Sequence, residues 1–214
     1  MIDIQAVLFD YGMVLSGPPS PSAWARMLAV TGLDNTPFHA AYWEHRHAYD
    51  RGTFSGHEYW LAVGKFVGQS FDDAQVATLI AADNDLWGEL NLPMVAWTQQ
   101  LHRAGIRTGI LSNIGDEMAA GILRKFDWIG RFHHCTWSHA IKLAKPELAI
   151  YHHAAAGLDT PIQQILFLDD REENIAAAAK TGMQTLHYTY TAHAAFEQEM
   201  AARGLQSLLH PAAS

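Results

Sequence analysis

The sequence predicts an α/β fold: a doubly wound parallel sheet with a small helical cap domain inserted after the first strand. Three observations predict it. Short apolar runs at residues 6–9, 106–111 and 165–168 are bounded by polar clusters and are too short for helices, as buried parallel strands are. Helix-like patterns alternate with those runs. Four further helix-like segments, at 22–31, 38–49, 56–67 and 73–90, lie together between the first run and the second. At 214 residues, one main domain with a smaller insert is expected. The boundaries read as 1–15 and 91–214 for the α/β core and 16–90 for the cap.

In order along the chain, Ala-Val-Leu-Phe at 6–9 forms the first strand and ends at Asp10. The cap follows. It is rich in aromatics, and Phe38 with Tyr42 has the i,i+4 spacing of a packed helix face, so most of these rings are expected in a small core. A few are expected to face a cleft. The turn at 50–55 carries Arg51, a candidate contact for substrate. The helix 93–104 then precedes the second strand, with Pro93 at its first position and Gly105 past its end. A helix at 117–126 follows that strand. The helix 146–156 precedes the third strand, with Pro146 at its start and Gly157 beyond its end, and 175–181 follows, closed by Gly182.

Composition narrows the function. Apolar residues make up 49% and charged residues 17%, values of an ordered globular chain. The net charge is -8 with no basic cluster, so nucleic acid is not an expected partner. No apolar stretch reaches the roughly 18 residues of a membrane span. Cys135 is the single cysteine, and the first residues lack a basic region ahead of an apolar one, so a cytoplasmic protein is expected. The 13 histidines show neither Cys-x-x-Cys nor His-Glu-x-x-His spacing, and structural or surface roles are expected of them. Nothing bears on oligomeric state.

In an open parallel sheet, ligands bind beyond the carboxyl ends of the strands. There the sequence puts Asp10, Ser112 with Asn113, and the pair Asp169 and Asp170. Three carboxylates held close repel one another unless protonated or bridged by a divalent cation, and Mg²⁺ is the hard ion usually bound by few carboxylates and a phosphate. Lys145, ahead of the helix expected from Pro146, adds an ammonium beside free helix N–H groups, a place for an anion.

Phe-Asp10-Tyr-Gly-Met-Val-Leu, Leu-Ser112-Asn113, Lys145-Pro146-Glu and Phe-Leu-Asp169-Asp170-Arg-Glu-Glu-Asn174 resemble, in order and spacing, the four motifs of the haloacid dehalogenase-like superfamily, a set of Rossmann-like hydrolases. The resemblance implies a phosphatase acting on a phosphorylated small molecule, with Asp10 as nucleophile and metal ligand. It implies phosphate binding by Ser112, the Asn113 backbone and Lys145. It also implies Mg²⁺ held by Asp10, the backbone carbonyl of Gly12 and Asp170, with Asp169 a second ligand or a partner through water, and Asn174 behind them.

Gly12 departs from the pattern. Many phosphatases of the superfamily carry a second Asp there, which protonates the leaving oxygen. The sequence is similar to a bacterial branch with Asp-x-Gly in the first motif, some members of which act on sugar phosphates. Two other readings compete: a catalytically weak binding protein, suggested by Gly12, and a 2-haloacid dehalogenase, whose fourth motif characteristically lacks the acidic pair.

Overall fold

The computed structural model describes residues 3–211; residues 1–2 and 212–214, at the ends of the expected α/β domain, lie outside the described residues. The elements are β1 (Ala6–Phe9), α1 (Pro21–Thr31), α2 (Asn35–Glu44), α3 (Arg46–Asp50), α4 (Gly56–Phe66), α5 (Asp73–Leu86), α6 (Leu92–Arg103), β2 (Arg107–Ser112), α7 (Asp116–Lys125), β3 (His134–Trp137), α8 (Ser138–Ile141), α9 (Leu148–Gly157), β4 (Ile165–Asp169), α10 (Glu172–Lys180), β5 (Gln184–His187), α11 (His193–Ala202) and α12 (Gln206–Leu209). All five strands are parallel, in the order β3-β2-β1-β4-β5, so the chain winds outwards both ways from a central β1.

Strand alternation divides the core between the two faces of this sheet. Val7 and Phe9 join Ile110, Leu166 and Leu168 in one apolar cluster, completed by Trp97 of α6, Ile122 of α7 and Phe196 of α11. Ala6 and Leu8 join Leu111, Ile165 and Phe167 in the other, against Tyr151 of α9 and Ala178 of α10. Helices on both faces explain why the central strands read as continuous apolar runs.

The two outer strands leave no such run. His134-Cys135-Thr136-Trp137 and Gln184-Thr185-Leu186-His187 are edge strands, mostly half-buried, and each buries one residue fully. Their pairing to β2 and β4 is what makes them strands.

Between β1 and β2, helices α1 to α5 bury their own apolar cluster, including Phe38, Tyr42, Tyr59, Trp60 and Leu79. Local chemistry sets the ends of these helices. Ser20 caps α1, Gly32 ends it at φ +65°, and capping boxes at Ser55–Glu58 and Asp72–Gln75 open α4 and α5. The connections into and out of this unit meet in an antiparallel bridge of Ser16 with Leu90. The single helix expected at 38–49 is broken at His45, whose φ of -106° and ψ of 4° part α2 from α3.

Several helix ends also differ from expectation: α5 stops at Leu86 and α10 begins at Glu172. Pro146 lies in a turn and α9 begins at Leu148, while Gly157 falls within α9. Lys145 therefore does not sit at a helix start; it precedes the first residue of α9 by three. Among the described residues no helix is long and apolar enough to cross a membrane.

Candidate active site

The register of the central strands assembles the site. Phe9 is level with Leu168 on β4 and Ile110 on β2, and the Asp10 N–H donates to the Leu168 carbonyl at 2.9 Å. Asp10 and Asp169 thus leave the sheet side by side. One carboxylate oxygen from each of Asp10, Asp169 and Asp170 lies within 4.8 Å of the others.

Lys145 reaches this group from the loop after α8. Its Nζ is 2.8 Å from Asp10 Oδ1 and 2.6 Å from Asp169 Oδ2, in a setting where the lysine is 3% exposed. Asn113 fixes that loop: its side-chain amide donates to the Lys145 carbonyl at 2.9 Å and its oxygen accepts the Lys145 N–H at 2.8 Å. The Asn113 side chain is committed to Lys145, which leaves its backbone for any phosphate.

Asp169 is fully buried and both its oxygens are engaged. They accept from Lys145 Nζ, from the Asn174 amide at 2.9 and 3.1 Å and from the Arg171 N–H at 2.9 Å. That set holds Lys145 and Asn174 in place. Asp170 is only part-buried; burial, then the neighbouring Asp169, pushes its carboxyl up from the ordinary value.

Burial also pushes Asp10 up, to about 7, against the pull of Lys145. Desolvation of Lys145 is outweighed by its two carboxylate partners, and its ammonium is held above the ordinary lysine value. Three carboxylates against one ammonium leave two negative charges when all are ionised. A compact all-oxygen group with that excess fits a hard divalent cation such as Mg²⁺. Both Asp169 oxygens already accept two donors each, which leaves Asp10 and Asp170 as the residues that could ligate such an ion directly.

The group opens into a cavity of about 460 Å³, lined also by Gly12, Ser112 and Asn113. Apolar walls come from Met13, Trp43, Trp87, Ile114 and Met118, and polar ones from Tyr11, Arg46, His47, Asp50, Arg171 and Asn174. Arg51 is not among them. Its guanidinium is paired with Glu147 instead, so the expected contact with substrate is corrected: the turn at 50–55 aims Arg51 outwards and α3 brings Arg46 inwards.

Arg46 is the centre of a buried network that the sequence reading missed. It is 6% exposed, with Nε 3.0 Å from Asp50 Oδ1 and Nη1 3.2 Å from Asp83 Oδ2; Nη1 also bonds the Tyr42 hydroxyl. Tyr42, Tyr49 and Tyr59 present rings to its guanidinium at 5.1, 5.4 and 5.9 Å. Burial pushes Asp50 up to about 6, although Arg46 opposes it. The i,i+4 spacing of Arg46 and Asp50 was a usable signal. Asp83, Trp87 and Met118 carried none, being distant in sequence.

The sequence profile of the haloacid dehalogenase-like hydrolases matches residues 30–182. Among curated proteins, the chain is 23% identical over 186 residues to drimenol cyclase drtB of Aspergillus calidoustus, covering 87% of this chain and 33% of that one. The chain thus spans about a third of that relative's length. Among solved structures, the family enzyme bt-2542 of Bacteroides thetaiotaomicron superposes with a TM-score of 0.75 at 19% identity, over 90% of this chain and 98% of the other. It has also been solved with magnesium and inorganic phosphate. The L-2-haloacid dehalogenase RSc1362 superposes with a TM-score of 0.69 at 22% identity, over 86% of each chain. At these identities the likeness is one of fold.

Proposed function

The chain belongs to the haloacid dehalogenase-like hydrolases, and from that premise we propose that it is a Mg²⁺-dependent phosphatase of a phosphorylated small molecule. The observation that carries the proposal is the acidic group Asp10, Asp169 and Asp170, with one buried lysine bonded to two of its members. The magnesium and phosphate bound by bt-2542 support the same reading.

Tyr11 N–H and Lys145 Nζ both bind Asp10 Oδ1, so Oδ2 is the oxygen that attacks phosphorus. A bond forms from Asp10 to phosphorus while the bond to the leaving oxygen breaks, and water then hydrolyses the aspartyl phosphate, restoring the carboxylate. Lys145, Ser112 and the Asn113 backbone hold the phosphoryl oxygens. Asp10, Asp170 and the Gly12 carbonyl would hold Mg²⁺, which would supply neutralisation of phosphate charge. A small-molecule substrate and a cytoplasmic setting accord with the acidic chain and its single, part-buried cysteine.

Phosphate release from a panel of esters, with and without Mg²⁺, tests the proposal. Release is expected only with the metal and is expected to stop on chelation. A dehalogenase, which the likeness to RSc1362 favours, releases halide from 2-haloacids without added metal. No release of either kind promotes a binding role.

Gly12 leaves the leaving oxygen without an acid at that position. A Cβ built on Gly12 meets only the Trp87 ring, at 3.8 Å, an ordinary contact. Gly12→Asp therefore fits. It is expected to raise the rate with alkyl phosphates by up to about 10²-fold or more, as positioned acids do, and to change aryl phosphates far less. Equal gains for both classes of ester, in single-turnover measurements, contradict this role for position 12.

A further inference from the structure

We propose that the leaving group taken by this cavity is an apolar alcohol or phenol, received by Trp43, Trp87, Met13, Met118 and Ile114, and is not a sugar or a second phosphate. The proposal rests on the phosphatase reading and names its substrate class.

The argument is an inventory of the polar side chains. A sugar needs donors and acceptors left open for its hydroxyls, because a buried hydroxyl without a partner is disfavoured. Here most of them are already taken, and the Ser112 hydroxyl lies at the phosphate position. Arg46 spends Nε on Asp50 and Nη1 on Asp83, and its Nη2 lies 3.3 Å from Met118 Sδ. With two carboxylates beside it, it also has no positive charge to spare for a second phosphate. The Asn113 amide holds Lys145, the Asn174 amide holds Asp169, and the Tyr11 hydroxyl donates to the Trp87 carbonyl at 3.1 Å. Arg171 is paired with Glu173, both exposed, and outside the phosphate and metal groups the exposed His47 is the lining side chain without a polar partner among the described residues.

The unspent surface is apolar. Trp43 is 47% exposed although it sits among buried rings, and its indole N–H donates outwards to His39 Nε2 at 3.1 Å, which leaves the ring itself for a ligand. The Trp87 ring lies 3.8 Å from where a Cβ on Gly12 would stand, so an aromatic ring borders the cavity beside position 12. A void of about 460 Å³ holds a phosphate and a ring or short chain.

The test uses n-octanol, which carries no phosphate and needs no metal, and compares n-octyl phosphate with a hexose phosphate as substrates. Calorimetry at several temperatures is expected to show saturable n-octanol binding with a negative heat-capacity change. Trp43→Ala is expected to weaken it about 10-fold, and Trp43→Phe to restore most of the loss. Phe66→Ala removes a similarly exposed ring outside the cavity and is expected to change nothing. The KM for n-octyl phosphate is expected to lie at least about 10-fold below that for the hexose phosphate. Absent or Trp43-independent binding of n-octanol overturns the proposal, as does a hexose phosphate used equally well. Trp43-dependent binding without phosphate release from any ester keeps the apolar subsite and removes the phosphatase reading.

Discussion

Asp10→Asn is expected to lower kcat/KM for every phosphate ester by on the order of 10³-fold or more, the scale of losing a nucleophile that acts as a unit with its partners. The loss is expected without unfolding. Asn is nearly isosteric, and Lys145 keeps Asp169 as a partner at 2.6 Å. Burial already works against charge at position 10, lifting that carboxyl to about 7, so removing the charge relieves the metal-free protein. Because its folded pKa is raised, Asp10 stabilises the fold at low pH and gives that up as pH rises through about 7. In chelator, the midpoint of urea unfolding above that pH is thus expected to match or exceed that of the unmodified protein. A variant that retains more than a tenth of its activity removes Asp10 from the chemistry; one that loses activity and stability together makes its role structural.

Arg46→Ala is expected to have the largest effect on stability. It takes the guanidinium from Asp83, 2% exposed and left with the Tyr42 hydroxyl, and from Asp50. Breaking a buried pair in this way costs about 3–5 kcal/mol, a large share of the roughly 5–15 kcal/mol that holds a domain together. The sign of the pH dependence follows. Burial already holds the Asp50 carboxyl up at about 6 and Arg46 opposes that rise, so without Arg46 the variant gains stability as pH falls and Asp50 takes up its proton, and is weakest above that value. Urea midpoints at pH 5 and pH 8 check this, and an equal loss at both contradicts the electrostatic origin. Arg46→Met combined with Asp83→Leu, which removes both charges, is expected to recover a good part of the loss.

These predictions sit on residues of unequal legibility. Asp10, Ser112, Lys145 and Asp169 were readable because each lies at the end of an apolar run or in an ordered motif, and a parallel sheet brings strand ends together whatever its loops do. The central strands were readable for a related reason. Burial on both faces forces continuous apolar runs on β1, β2 and β4, whereas β3 and β5, exposed along one edge, tolerate His134, Thr136, Gln184 and His187.

The helices between β1 and β2 were legible as helices but not in their facing. Among aromatics in one segment, Tyr42 is fully buried and Trp43 is half exposed over the cavity, a difference made by one residue's rotation on α2. Arg46 and Arg51 exchanged roles for the same reason: five residues on, the helix has ended and the next arginine faces Glu147.

What the sequence determined by itself, then, was the doubly wound α/β class and the acidic group beginning at Asp10, because periodicity and strand-end chemistry are local properties. Only the tertiary structure decided which arginine lines the cavity, that Asn113 and Asn174 are spent on Lys145 and Asp169, and that the Trp87 ring lies beside Gly12. Each of those facts depends on side chains from separate elements arriving at one point, and no local pattern encodes that distance.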